Sequence, residues 1–184
     1  MKKIAIAAWL CLGIAGFSSC DQVQDMVKIN VSLDNADGEF TLPVILSPGT
    51  AILDTTELFI NLDSAINAQG YQLSADNIKE ARITSCELIL LDGNSGNNCA
   101  ALEACSITLS SDQNPVPEVM AQIINNPDVE TYALNMPVNA GTELKSYFLD
   151  ASRVSYIFSA RVRKATTKPI RCRARLKYNL VIGM

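Results

Sequence analysis

From residue 155 to residue 182 the chain sets an apolar side chain at almost every second position, in two runs separated by a short polar link. In the first run Tyr156, Phe158, Ala160 and Val162 alternate with Ser155, Ile157, Ser159, Arg161 and Arg163. In the second, Ile170, Cys172, Ala174, Leu176, Tyr178, Leu180 and Ile182 alternate with Arg171, Arg173, Arg175, Lys177 and Asn179. A period of two is that of a β-strand, whose successive side chains point to opposite faces; on a helix the same residues would be scattered around the axis. Both runs are therefore strands with one apolar and one polar face. The link, Ala165-Thr166-Thr167-Lys168-Pro169, is short, which predicts a long β-hairpin. A register with Val162 opposite Cys172 sets Phe158 opposite Leu176 and Tyr156 opposite Tyr178 on a core face. It also sets Arg161 opposite Arg173 and Arg163 opposite Arg171 on one crowded basic face, and like charges directly opposed across a ladder are destabilising.

The rest of the chain reads similarly. Val27, Ile29, Val31 and Leu33 alternate with Lys28, Asn30 and Ser32 in a half-buried strand. Residues 34–39 make a turn and residues 41–46 return, with Pro43 favouring a sheet edge because proline has no N–H to donate to a ladder. Leu58, Ile60 and Leu62 mark another strand. Asp63 is placed to cap a short helix ended by Gly70, and Ser74 or Asp76 a helical turn over residues 77–80. Residues 82–91 form a strand with Thr84, Cys86, Leu88 and Leu90 on one side. Further strands are expected at 106–111, 118–124 and 131–136, and Thr142 is placed to cap a short helix ending at Leu149. About eight to ten strands with few helices predict a mainly β fold, a single antiparallel β-sandwich over residues 27–184. A closed β-barrel is the alternative. Its outer face would be too polar and too basic for lipid. A chain of 184 residues supplies one core rather than several domains.

No histidine is present, which removes Ser-His-Asp and Cys-His nucleophile pairs and every His-based metal site. No Ser-x-x-Lys occurs after residue 20, no local motif selects a carboxylate pair, and nothing calls for a cofactor. Asp34-Asn35-Ala36-Asp37-Gly38-Glu39 is rich in oxygen ligands, but Leu33 stands where a calcium loop needs its first acid, so a turn is the better reading. Residues 92–98 hold a single carboxylate and read as turn chemistry. The formal charge is −4, yet residues 153–184 carry nine of the fifteen basic residues and none of the nineteen acids. The outward positions Arg161, Arg163, Arg171, Arg173, Arg175 and Lys177 form a possible anion-binding face. Either acids on neighbouring strands, Glu87 among them, neutralise it, or it meets an anionic or protein partner. Nucleic acid is a poor fit, because no aromatic interleaves the basic positions and the chain is acidic overall.

At the N-terminus Lys2 and Lys3 precede fourteen uncharged residues, 4–17, too few to span a bilayer and suited to a secretory leader. The run ends Phe17-Ser18-Ser19-Cys20. This resembles the lipobox of bacterial lipoproteins, with Phe17 where leucine is usual. The resemblance covers the first twenty residues and implies cleavage before Cys20, a diacylglyceryl thioether on its thiol and an acylated amine, with palmitate-type chains. Two or three such chains hold a protein on a membrane essentially permanently, since each buried methylene contributes about 0.8 kcal/mol. Residues 1–19 are then a signal peptide and 20–26 a lipidated anchor and tether. Asp21 after the cysteine resembles an inner-membrane retention signal in enteric bacteria, whereas in other Gram-negative phyla acids there accompany surface display; the outer membrane is the expected destination.

An exported chain matures where disulfides form, and Cys86, Cys99, Cys105 and Cys172 remain beyond the anchor. Three pairings are possible. Cys99 and Cys105 bracket five residues after a Gly/Asn-rich loop and suit a local clip; Cys86 and Cys172 suit a bridge between two strands. The alternative is that Cys86 and Cys172 are buried free thiols. The function expected is non-catalytic binding, scaffolding or accessory work at the envelope. The competing classes are a carrier of an apolar ligand such as a lipid, and a glycan-cleaving enzyme with paired carboxylates.

Overall fold

The computed structural model describes residues 28–33, 38–58, 66–68, 70, 74–151 and 153–183. The leader, Cys20, the tether, the turn at 34–37 and most of the helix expected from Asp63 lie outside these residues. Within them the strands are β1 (Lys28–Leu33), β2 (Gly38–Leu42), β3 (Gly49–Leu58), β4 (Ile78–Leu90), β5 (Leu102–Ser111), β6 (Glu118–Ile123), β7 (Ala133–Met136), β8 (Val154–Val162) and β9 (Ile170–Gly183). One helical turn, α1 (Lys145–Phe148), and 3-10 turns at Ala75–Asn77 and Cys99–Ala101 complete the description. One sheet runs β1-β9-β4-β7, with β2 also paired to β9; the other runs β3-β8-β5-β6. The fold is a mainly β, antiparallel sandwich and not a closed barrel.

The alternation fixes the interior. Tyr156, Phe158, Ala160 and Val162 from β8 and Cys172, Ala174, Leu176, Tyr178, Leu180 and Ile182 from β9 are all buried in one continuous core. Phe40 of one sheet stacks on Phe158 of the other with centroids 4.0 Å apart. Phe148 of α1 meets Tyr178 edge-on at 5.5 Å.

The two C-terminal strands nevertheless do not form a hairpin. β8 pairs with β3 and β5, whereas β9 pairs with β1, β2 and β4, so the link between them crosses from one sheet to the other. A two-residue period determines which face of a strand is buried, not which strand it bonds. Two apolar faces can meet across a sandwich as well as along a ladder, and crossing over separates the arginines that a hairpin would have opposed. Tyr156 and Tyr178 do meet, but through the core, with hydroxyls 2.9 Å apart.

Three other expectations are corrected. Both β1 and β2 run antiparallel to β9, with Leu33 opposite Tyr178 and Gly38 opposite Ala174, so the chain does not reverse between them. They lie end to end along one edge of β9, and the strand stops at Leu42, just before Pro43. Thr84 is exposed rather than core-facing, because a register irregularity between Ile83 and Ser85 flips the alternation; Ala81 and Ile83 are buried before it and Cys86, Leu88 and Leu90 after it. The strand marked by Leu58 begins earlier, at Gly49, and is described as far as Leu58; Ile60 and Leu62 lie outside the described residues. Beside these, the turn after Ser74 is residues Ala75–Asn77, where the Asn77 Oδ1 accepts from the Ser74 N–H and hydroxyl, and β4 starts at once at Ile78.

The paired tyrosines give a test. Both are fully buried, and Tyr178 Oη also lies 3.4 Å from the Met120 sulfur. Tyr156→Phe leaves one buried hydroxyl with a poorer partner and should cost about 1–2 kcal/mol in urea denaturation. Tyr156→Phe/Tyr178→Phe removes both hydroxyls and should cost less than the sum of the single changes; strict additivity would show that the bond contributes nothing.

Candidate functional site

The basic positions singled out in the sequence fall on two opposite outer faces. Arg161 projects from β8, with Nε 3.0 Å from Glu103 Oε2. Arg163, just past β8, donates to the carbonyls of Ala100 at 3.0 Å and Asn126 at 2.7 Å. On the other sheet Arg171 grips Asp92 with two nitrogens at 2.8 and 3.1 Å. Arg173 reaches Glu39 at 2.6 Å and Arg175 reaches Glu87 at 3.0 Å, each an acid directly opposite on a neighbouring strand. Lys177 is half-buried on that same face. A single basic surface is therefore not formed, and acids from flanking elements lie within 4 Å of four of the five arginines, as the neutralised reading requires. Exposed pairs of this kind contribute little stability and are weakened by salt.

Asn126 carries no signal in the sequence that would single it out. It is buried, donating through its amide to the carbonyls of Cys99 at 2.8 Å and Leu102 at 2.9 Å, while its own carbonyl accepts from Arg163. It ties the turn before β5 to the end of β8. Asn126→Ala should cost about 1–3 kcal/mol in denaturation experiments by leaving buried carbonyls unpaired.

The four cysteines are buried free thiols, and neither expected bridge is present. Cys86 stands opposite Leu176 on β9, four rungs from Cys172, or roughly 13 Å at 3.3 Å per residue. A disulfide needs Cα atoms within about 7 Å. Cys99 opens a 3-10 turn and Cys105 lies in the strand that begins at Leu102, both as free buried thiols. Burial pushes the thiols of Cys86, Cys105 and Cys172 from 9.0 up to about 12 and raises Cys99 as well. They act as small apolar groups. Above about pH 9 the thiols of an unfolded chain ionise while these stay protonated, so unfolding releases protons. Stability is whole below that pH and falls as pH climbs toward 12, by about 1.4 kcal/mol per pH unit for each thiol. Urea titrations from pH 8 to 10 should show this decline, shallower in Cys172→Ala; an unchanged slope would contradict it.

Beyond the ends of β2, β4 and β9, residues 91–98 and the link 163–169 form one tip of the sandwich. Asn97 joins them: its side chain accepts from the Thr167 N–H at 3.0 Å and donates to the Thr167 hydroxyl at 2.9 Å. Asn94 Oδ1 accepts from the Gly96 N–H at 3.0 Å, and Asn98 Oδ1 from the Ala100 N–H at 3.0 Å. An open cleft of about 680 Å³ lies here, lined by Thr41, Asp92, Asn94, Lys168 and Arg171 among others. The hydrogen bond from Arg171 is the main cause that holds the Asp92 carboxyl below its usual range, and Lys168 adds to it. The side-chain oxygens of Asn94, Asn97 and Asn98 are taken by hydrogen bonds within the tip and to the first residues after it, and among the described residues no group of three or more Cys, Asp or Glu is placed to hold a metal ion.

No family model matches the chain, and no curated protein matches it. Among solved structures, a chain from the acidic stable capsid structure of Helicobacter pylori bacteriophage KHP30 aligns with 86% of this chain and 98% of its own length, at 13% identity and a TM-score of 0.34.

Proposed function

We propose that this chain is a lipid-anchored protein of the bacterial cell envelope whose sandwich performs binding or scaffolding work rather than catalysis. The observation that carries the reading is the N-terminal pattern: Lys2 and Lys3, the uncharged run 4–17, and Ser18-Ser19 before Cys20. Cys20 becomes the acylated first residue, on the outer membrane in preference to the inner one. β1 starts at Lys28, so the intervening chain reaches at most about 27 Å from the anchor to the sandwich. Lys28 pairs with Gly183, and both therefore stand at the end nearest the membrane, opposite the tip that holds the 680 Å³ cleft.

Two features support a non-catalytic role. A glycosidase works with two carboxyls about 5–9.5 Å apart. The tip cleft is lined by one carboxylate, and Arg171 holds it in a two-point ion pair. The core, meanwhile, fills its centre with aromatic pairs in contact across the two sheets, which supports a binding surface on the outside over a carrier cavity within.

The test is metabolic labelling with a fatty-acid probe. Wild-type protein should be labelled and sediment with membranes. Cys20→Ser should lose the label and either appear in the soluble fraction or persist as an uncut precursor. A labelled Cys20→Ser protein would overturn the assignment.

A further inference from the structure

We propose that the tip cleft binds a carboxylate-bearing sugar unit of an acidic glycan, with Lys168 taking the carboxylate. The proposal rests on the anchored reading for one point, that this end faces away from the membrane; β9 alone, with its fourteen residues, separates the two ends by roughly 45 Å.

The chemistry follows from which polar groups the fold has left unspent. Among the described residues Lys168 makes no hydrogen bond and no ion pair; its interaction is a long-range one with Asp92. Arg171 uses Nε and Nη2 on Asp92, which leaves its other terminal nitrogen open. The Asn94 oxygen is taken by the loop, but its amide N–H groups are not, and the exposed Thr41 hydroxyl has no partner among the described residues. The cleft therefore offers donors from four side chains and one carboxylate, with a formal charge of +1 from Lys168, Arg171 and Asp92.

That combination selects a ligand. A group rich in acceptors with one negative charge matches the donors and the net charge. Hydroxyls on the same ligand match Asp92, which only accepts. A dianion would meet the Asp92 charge without enough cations to offset it. A volume of about 680 Å³ lies within the roughly 300–1,000 Å³ typical of organic-ligand sites and exceeds what a single inorganic anion fills. Asn97 locks the two loops together through Thr167, so the walls of the cleft are set before a ligand arrives, which lowers the ordering cost of binding.

The experiment uses the full chain in detergent with an oligogalacturonate probe, its methyl ester and inorganic phosphate, read by calorimetry. The oligogalacturonate should bind, and weaken as salt rises. Lys168→Gln should bind about tenfold or more weakly, the loss expected for one charge-assisted contact, and Thr41→Val a few-fold more weakly. Lys79→Gln, at the opposite end, should match wild type. Among the described residues Lys168 makes no hydrogen bond and no ion pair, so Lys168→Gln should keep the wild-type melting temperature and its loss of binding is not a loss of folding. No binding by wild type, equal binding by Lys168→Gln, equal binding of the methyl ester, or displacement by equimolar phosphate would each overturn the proposal. Fatty-acid labelling is scored separately: labelled protein that fails to bind keeps the anchor and removes the cleft, and unlabelled protein that binds does the reverse.

Discussion

The molecule depends on one shared interior between two sheets that are not hydrogen-bonded to each other across most of their area. Each sheet satisfies its own backbone; what joins them is apolar contact between alternate side chains, with Phe40 on Phe158 and the hydroxyls of Tyr156 and Tyr178 as its fixed points. A buried hydroxyl is costly unless partnered. The two tyrosines solve this for each other at the cost of requiring one relative placement of β8 and β9, so the pair sets how the sheets sit as well as holding them together. Cys86, Cys105 and Cys172 fill the space around this arrangement as small apolar groups rather than as cross-links.

The fold class was legible in the sequence because alternation is a local signal. The buried faces of β8 and β9 follow residue by residue from the period of two. What was not legible is which strands are neighbours. The short link 163–169 suits a hairpin and suits a crossing between sheets, and choosing between them depends on β3, β4 and β5, which are distant in sequence. Thr84 shows a second limit: one extra residue in a ladder inverts the face of everything before it, and no pattern at Thr84 announces it. The Cys86–Cys172 pairing failed for the same reason as the hairpin, since both rested on which positions face inward and not on how far apart the register sets them; the Cys99–Cys105 pairing rested on closeness in sequence alone.

The candidate site was partly legible too. The arginine positions were right as outward positions of strands, and Glu87 was a correct partner. Glu39, Glu103 and Asp92 were not foreseen, because an ion pair across a ladder is a fact of register. The split of charge along the chain now has a structural meaning: the basic C-terminal strands and the acidic remainder interleave, so that Arg173 meets Glu39 and Arg175 meets Glu87 on adjoining strands. Lys168 stands apart from this interleaving: among the described residues it makes no ion pair, and which cation is left over depends on the register that pairs the others.

The position of β9 also governs when this chain can fold. It bonds β4 on one side and β1 with β2 on the other, so it is the inner strand on which the first sheet is assembled, and it follows every other described strand in the chain. Lys28 must wait for Gly183, more than 150 positions later, before its ladder can close. Contacts of such long sequence separation make folding slow. Until the final segment is available, β1, β2 and β4 lack their common partner, and of the first sheet only the short β4–β7 pairing can form. Under the exported reading proposed above, this order would leave the first sheet incomplete until its last strand had crossed the membrane.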